Sequence, residues 1–203
     1  TIIPNITGSR SDIDSAMYVD DNRKRFLNLN DCRWNDSFVR ELQSRTNASY
    51  QALDLIALGY TGAGTFPQTY FDIATEREQL LAAAERKKLQ FFRQYQRYCS
   101  SLPARYHLPF AGNYILGGKL AKLNHYRGVA DAVEVTDFDD KAIVLDDFGK
   151  GAIDLLSDSV QNRRVNKYKI ADLDAEIDRV ADRMMDYERD VKTPISQMSF
   201  HSL

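Results

Sequence analysis

The sequence predicts a mixed fold of strands and helices, of the α/β (α+β) class. Leu27 and Leu29 alternate with Asn28 and Asn30, the period of a strand with one buried face. The run LDLIAL at positions 53–58 is short and apolar, which is typical of a buried strand. Between positions 75 and 98 the chain contains neither Gly nor Pro, and residues of high helix propensity dominate, so a long helix is expected there.

Composition sets the size of the protein and excludes several classes of partner. The 203 residues, 43% of them hydrophobic, suffice for one large domain or one and a half small ones. The 27 basic and 29 acidic residues give a formal net charge of −2, so charge offers no case for binding nucleic acid or an anionic membrane. No apolar run approaches the roughly 20 residues that cross a bilayer.

The two cysteines and the first residues suggest where the protein works and what is missing. Cys32 and Cys99 make neither a disulfide framework nor a zinc-finger spacing, which favours a reducing, cytoplasmic location. The chain opens in Thr-Ile-Ile-Pro without an initiator Met, so we expect it to be part of a longer protein.

Further elements follow from turn, cap and breaker signals along the chain. They are a β-hairpin over 16–30, a helix starting at Asn35 and Asp36, a capping box at Thr75 and Glu78, a strand over 105–108, a short helix through Asn124, a second hairpin pairing 141–146 with 152–156, and a helix over 173–191 capped by Asp172.

Asp31 stands where the strand at 26–30 ends. Ligands of helix-flanked sheets usually lie outside the carboxyl ends of the strands, and a carboxylate there can bind a metal ion or act as a base. The alternative is that Asp31 caps the following helix, since Asp is a favoured cap. Asp12 and Asp14, before the first hairpin, are either metal ligands or solvated loop residues.

Two other strands also run into loops of glycine and polar residues. Three glycines within 59–64 let the backbone approach a ligand closely, or make a flexible surface loop. They match neither a Walker loop nor a dinucleotide-binding fingerprint. Gly117, Gly118 and Lys119 open a helix that could hold an anion, or form an ordinary turn. His107 alternates with apolar neighbours and is better explained as a core histidine than as a metal ligand.

The order of these motifs resembles a known family. The strand ending Asn-Leu-Asn-Asp-Cys, the segment Ala-Leu-Gly-Tyr-Thr-Gly-Ala-Gly-Thr-Phe-Pro-Gln, a long helix and then Leu-Pro-Phe-Ala-Gly-Asn-Tyr look like the carboxy-terminal half of a metallo-β-lactamase-fold protein. The nearest branch holds CMP-N-acetylneuraminate hydroxylase-like and ascorbate-6-phosphate lactonase-like proteins. The resemblance covers about residues 12–157.

The resemblance implies a fold and a site. The fold would be the carboxy-terminal portion of an αββα sandwich over residues 1–157, with a helical extension over 158–203. Asp31 would match the family's bridging metal aspartate, with Asp14 as a second carboxylate ligand for zinc, or for iron or manganese. The substrate side would be lined by Tyr60, Thr61, Gly62, Asn113, Tyr114 and Lys119.

The same resemblance leaves two functions open. In the first, a metal-dependent hydrolase acts on a phosphorylated or nucleotide-linked sugar, with Asp31 in the catalytic site and histidines supplied by a missing half. In the second, a degenerate module binds a nucleotide-sugar or a protein partner without catalysis. The second is motivated by the family's histidine positions, which fall here on Ser11, Asp12 or Asp14 and on Phe110 or Ala111. Half a sandwich would leave one sheet face bare, so association with the missing half or with another copy is expected.

Overall fold

The computed structural model describes residues 1–5, 14–110, 114–146 and 150–181. Its strands are β1 (Ile2–Pro4), β2 (Ser15–Asp20), β3 (Arg25–Asn28), β4 (Leu53–Leu58), β5 (Ala104–Pro109), β6 (Ala152–Asp154) and β7 (Ser159–Gln161). The helices are α1 (Asp36–Thr46), α2 (Arg77–Ser101), two 3₁₀ helices (Gly118–Tyr126 and Ala132–Asp137) and a helical segment at 170–181.

Five strands form one mixed sheet in the order β1-β2-β3-β4-β5. β1, β2 and β3 pair antiparallel, which confirms the hairpin predicted over 16–30. β3, β4 and β5 run parallel, joined by α1 and then by α2. The mixed α/β class is therefore correct. The parallel part brings the carboxyl ends of three strands to one edge, which is where ligands usually bind in such sheets.

The chain forms two compact units. The first unit comprises 1–64, 85–113 and 129–167, and the second comprises 65–84, 114–128 and 168–203. The large hydrophobic core belongs to the first unit, where Leu27, Leu29, Ile56, Leu58 and Tyr95 are almost fully buried. The division predicted at residue 157 stays a prediction.

In the parts of the chain that the structure covers, no helix has the length and apolar character needed to cross a membrane.

Helix α1 is capped by Asn35, and the suggestion that Asp31 caps it is wrong. The Asn35 side chain accepts hydrogen bonds from the backbone N–H groups of Ser37 and Phe38. A cap must lie directly before the first helical turn to reach these groups, and Asp31 comes too early. Asp31 is thereby left without a capping role.

Arg25 joins the start of β3 to the segment between α1 and β4. The residue is only 7% exposed, and its guanidinium donates to the backbone carbonyls of Thr46 (3.2 Å), Gln51 (2.6 Å) and Ala52. Its backbone N–H donates to Asp54 Oδ2 at 2.8 Å. A buried charge is tolerated here because several acceptors surround it.

The second predicted hairpin is wrong in its pairing. Residues 141–146 make two single bridges, Ala142 with His107 and Leu145 with Arg163, and β6 pairs with β7 instead. His107 N–H donates to the Lys141 carbonyl, and Ile143 N–H donates to the His107 carbonyl, so this segment runs beside β5. β5 offers a free edge for this pairing, which competes successfully with a local hairpin.

Two predicted helix starts are also wrong. Helix α2 begins at Arg77, and it is the Glu76 side chain that accepts a hydrogen bond from Asp72 N–H at 2.9 Å, rather than a box of Thr75 and Glu78. Asp172 lies inside the helical segment at 170–181 and does not cap it. The rest of the helix predicted over 173–191 lies outside the described residues.

Candidate functional site

The carboxyl ends of β3 and β4 lie side by side at one edge of the sheet. The parallel ladder continues one residue beyond the ends of β3 and β5 on either side of β4. Leu29 N–H donates to Ala57 O (2.8 Å), and Phe110 N–H donates to Leu58 O (3.1 Å). A Cβ atom placed on Gly59 would lie 3.5 Å from the carbonyl oxygen of Asn30. The turn that carries Asp31 therefore adjoins the turn that begins the glycine-rich loop.

Asp31 is exposed at this edge. The strand stops because Asn30 adopts a left-handed conformation (φ 46°) and its N–H donates to Asn28 Oδ1 at 2.8 Å, a local turn that competes with the sheet. The next residue, Cys32, is buried. Burial, together with the negative charges of Asp14 and Asp31, raises the pKa of the Cys32 thiol to about 12. Both predicted metal carboxylates thus act on the same thiol.

The loop after β4 packs inward more than the sequence suggests. Tyr60 is 6% exposed and Thr61 is 2% exposed. The Thr61 hydroxyl is buried and has no hydrogen-bond partner among the described residues. A Cβ atom on Gly62 would lie 2.1 Å from Cζ of Phe91, so at Gly62 the close neighbour of the backbone is the α2 side chain Phe91.

The remaining predicted substrate residues are distributed differently. Asn113 lies outside the described residues. Tyr114 and Lys119 belong to the second unit. There the Tyr114 hydroxyl accepts a hydrogen bond from Gln68 Nε2 at 2.8 Å, and the Arg127 guanidinium lies 5.2 Å from the Tyr114 ring centroid. Lys119 is exposed at the start of the first 3₁₀ helix, after Gly118 with φ 55°.

The second unit contains an open cleft of about 640 Å³. This volume is in the range of small-molecule sites. Its lining combines polar residues, among them Asp72 and Lys122, with apolar ones, among them Phe71 and Leu120. The predicted residue Lys119 is not part of its lining, whereas Gln68, the partner of Tyr114, is.

A second polar cluster lies inside the first unit, between α2 and β5. Cys99 comes from α2, His107 from β5, and Asp139 from the segment after the 3₁₀ helix Ala132–Asp137. One sulfur, one imidazole nitrogen and one carboxylate oxygen all lie within 4.8 Å of one another. Among the described residues, these three side chains are the group that could hold a metal ion.

The centre of this cluster is the Asp139 carboxylate, which accepts three hydrogen bonds. His107 Nδ1 lies 2.7 Å from Oδ2, and the Tyr95 hydroxyl donates to the same oxygen at 2.9 Å. The backbone N–H of Lys141 donates to Oδ1 at 3.1 Å. Side-chain exposure is 5% for His107 and 10% for Asp139, so these bonds are almost fully shielded from water.

Burial and hydrogen bonding act on these groups in opposite directions. Burial favours the neutral form of Asp139, but the hydrogen bonds from His107, Tyr95 and Lys141 outweigh it and hold the pKa of this carboxyl below its ordinary value. Burial, with a contribution from the Asp139 charge, raises the pKa of the Cys99 thiol to about 12. Burial and the neighbouring Cys99 and Asp139 also raise the pKa of the Tyr95 hydroxyl. At neutral pH the cluster therefore holds a carboxylate, a thiol and a phenol.

Sequence reasoning missed this cluster. His107 is buried, as expected of a core histidine, but its partners come from distant elements. Cys99 and Asp139 carry no metal-motif spacing relative to His107. The sequence feature that pointed toward the cluster is the separation of Tyr95 and Cys99 by four residues, which places both side chains on one face of a helix.

Histidines are scarce at the predicted metal site. In the described part of the first unit the single histidine is His107, which lies within β5 and bonds to Asp139. In the second unit, His125 Nε2 lies 3.6 Å from Asp174 Oδ1.

Comparison of the chain with protein-family models, with curated proteins and with solved structures found no match.

Proposed function

We propose that this chain is the carboxy-terminal part of a metal-dependent hydrolase of the metallo-β-lactamase type, whose complete fold is an αββα sandwich. The observation that carries the proposal is the adjacency of the Asp31 turn and the Gly59 turn at the carboxyl edge of parallel strands. Asp31 is an exposed carboxylate at this edge, and Asp14 is close enough to act with it on the pKa of the Cys32 thiol. Two carboxylates this close are suitable ligands for a metal ion.

In this proposal the chain supplies one carboxylate-rich side of the site. Asp31, with Asp14, would bind zinc, or iron or manganese, and the missing half would add histidines. The bound ion would activate a water molecule for hydrolysis. Thr61 brings a buried hydroxyl next to this edge, free of partners in the described part of the chain, which suits it to a substrate oxygen. Tyr60 and Gly62 flank it on the proposed substrate side, while the substrate roles of Asn113, Tyr114 and Lys119 stay predictions from the sequence.

Elemental analysis of the intact protein tests this proposal. We expect bound metal in the wild type, a lower metal content in Asp31→Ala, and the wild-type content in Asp178→Ala, which removes an exposed aspartate from the helical segment at 170–181. Wild-type protein that contains no metal, and gains neither activity nor stability from Zn²⁺, Fe²⁺ or Mn²⁺, would rule the hydrolase out. Equal metal content in the two variants would remove Asp31 from the site.

A second candidate function is a non-catalytic module that binds a nucleotide-sugar or a protein partner. It is favoured by two observations: His107 already bonds to Asp139, and the second unit has a cleft whose lining includes the cation Lys122. A phosphate-bearing ligand would suit Lys122 there. Sugar nucleotides should then raise the melting temperature of the wild type and of Lys150→Ala, but not of Lys122→Ala. No shift with any sugar nucleotide would count against this function.

A further inference from the structure

We propose that Cys99, His107 and Asp139 form a binding site for a thiophilic divalent cation of the zinc type, separate from the proposed site at Asp31. The inference is independent of the hydrolase proposal, because it rests on other residues. Three different elements bring one S, one N and one O ligand atom within 4.8 Å. Such a mixed set suits Zn²⁺, Co²⁺ and Cd²⁺ and disfavours Mg²⁺ and Ca²⁺, which prefer oxygen ligands.

The surroundings of the cluster supply what a metal site needs beyond its ligands. The Tyr95 hydroxyl and the Lys141 N–H hold the Asp139 carboxylate from opposite oxygens, which is how outer-shell groups orient a metal ligand. Cys99 and Asp139 are half-buried, while His107 is buried. A water molecule can complete a four-coordinate site.

His107 offers the ion its Nδ1 nitrogen. Nδ1 is engaged with Asp139, while Nε2 is buried and makes no hydrogen bond to any residue that the structure describes. The two ring nitrogens point in nearly opposite directions, and Nδ1 is the one that faces Asp139. An ion that also binds Asp139 therefore takes Nδ1, with the imidazole proton on Nε2.

Binding has a definite structural cost. With metal–ligand bonds of about 2.0–2.1 Å, two ligand atoms of a tetrahedral zinc ion lie about 3.3 Å apart. The 2.7 Å between His107 Nδ1 and Asp139 Oδ2 is a hydrogen-bond distance, so if both atoms bind, this bond must open by about half an ångström. The ligand form of Cys99 is the thiolate, so the sulfur–metal bond forms as the thiol proton passes to solvent. Affinity should therefore fall as the pH is lowered.

Titration of the metal-free, reduced protein with Co²⁺ tests the site. A thiolate ligand gives a sulfur-to-cobalt charge-transfer band in the near ultraviolet, which a site of oxygen and nitrogen ligands does not. We expect one equivalent of Co²⁺ to produce the band in the wild type and in the matched control Cys32→Ser, and Zn²⁺ to bleach it. Cys99→Ser should lose the band, and Asp31→Ala should keep it, which separates this site from the proposed catalytic one.

Two further variants guard against a folding artefact. Asp139→Asn keeps a hydrogen-bond acceptor for His107 but loses the carboxylate ligand, so it should retain the band with affinity lowered by more than the outer-shell range of about 10- to 100-fold. Tyr95→Phe leaves all three ligands in place and should weaken binding by about 10- to 100-fold through loss of orientation. A wild type that binds no Co²⁺ would overturn the proposal. So would a band that survives in Cys99→Ser or disappears in Cys32→Ser.

Discussion

Replacing Asp139 by alanine should remove the acceptor that two buried donors share. The Tyr95 hydroxyl, on a fully buried side chain, and the His107 imidazole, which is 4% exposed, would both lose their partner. Each hydrogen bond to a charged group contributes about 1.5–3 kcal/mol, and breaking a buried charged pair costs about 3–5 kcal/mol. We expect the free energy of unfolding to fall by about 3–5 kcal/mol, a large part of the stability of an ordinary domain.

Urea unfolding in the presence of a chelator measures this loss without any contribution from bound metal. The matched control is Asp140→Ala, which removes the neighbouring, exposed carboxylate and should change the free energy of unfolding by less than about 0.5 kcal/mol. Asp139→Asn should fall between the two, because its amide oxygen still accepts from His107 or Tyr95 but carries no charge.

The pH dependence has a predictable sign. The pKa of Asp139 is lower in the folded protein than its ordinary value, so its ionised form stabilises the fold at every pH above that ordinary value, about 3.9. This contribution disappears as the pH falls through the folded-state pKa. The stability difference between wild type and Asp139→Asn should therefore be constant near neutrality and shrink below about pH 4.

Two results would refute this reasoning. A loss below about 1 kcal/mol in Asp139→Ala, or a loss equal to that of Asp140→Ala, would mean that the hydrogen bonds at Asp139 contribute little net stability. A wild-type advantage over Asp139→Asn that persists unchanged well below pH 4 would mean that charge is not its source.

Three further changes test the packing and capping described above, each by chemical denaturation. Arg25→Ala should cost about 3 kcal/mol, because it leaves buried carbonyls without their donor, whereas the exposed control Arg23→Ala should be near neutral. Asn35→Ala should cost about 1 kcal/mol through loss of the α1 cap. Gly62→Ala should cost about 1–3 kcal/mol through collision with Phe91, and Phe91→Leu in the same chain should recover part of it. Unchanged stability in any of the three would contradict the contact on which it rests.

The strands of the large sheet were predictable because their signals are local. Leu27 and Leu29 alternate with amides, and five of the six residues of Leu53–Leu58 are apolar, so a few neighbouring residues suffice to predict each strand. Residues 141–146 illustrate the opposite case. Their partner, His107 in β5, is distant in sequence, and a choice between β5 and a nearby segment depends on which edge is free after the sheet has formed.

The candidate functional site was predictable only in part, because some of its residues are neighbours in sequence and others are not. The strand end at Asp31 is visible in the sequence because Asn28, Asn30 and Asp31 form a polar exit. The cluster at Asp139 is not visible, since its members come from a helix, a strand and a later turn, and hydrogen bonds between them need no fixed spacing. Gly62 was expected to approach a ligand, whereas its observed close neighbour is Phe91, a contact that periodicity cannot reveal.

The mixed direction of the sheet implies an order of folding events. β2 and β3 are joined by a short turn and pair antiparallel, and β1 lies close to them in sequence, so the loop-closure entropy of this part is small. The pairing of β5 with β4 closes a much longer loop, because parallel neighbours need a long crossover and this one contains the whole of α2. We expect the meander to form early and the docking of β5 to be the slow step, as non-local pairing generally is. His107 belongs to β5, so we expect the cluster of Cys99, His107 and Asp139 to be the last part of the core to assemble.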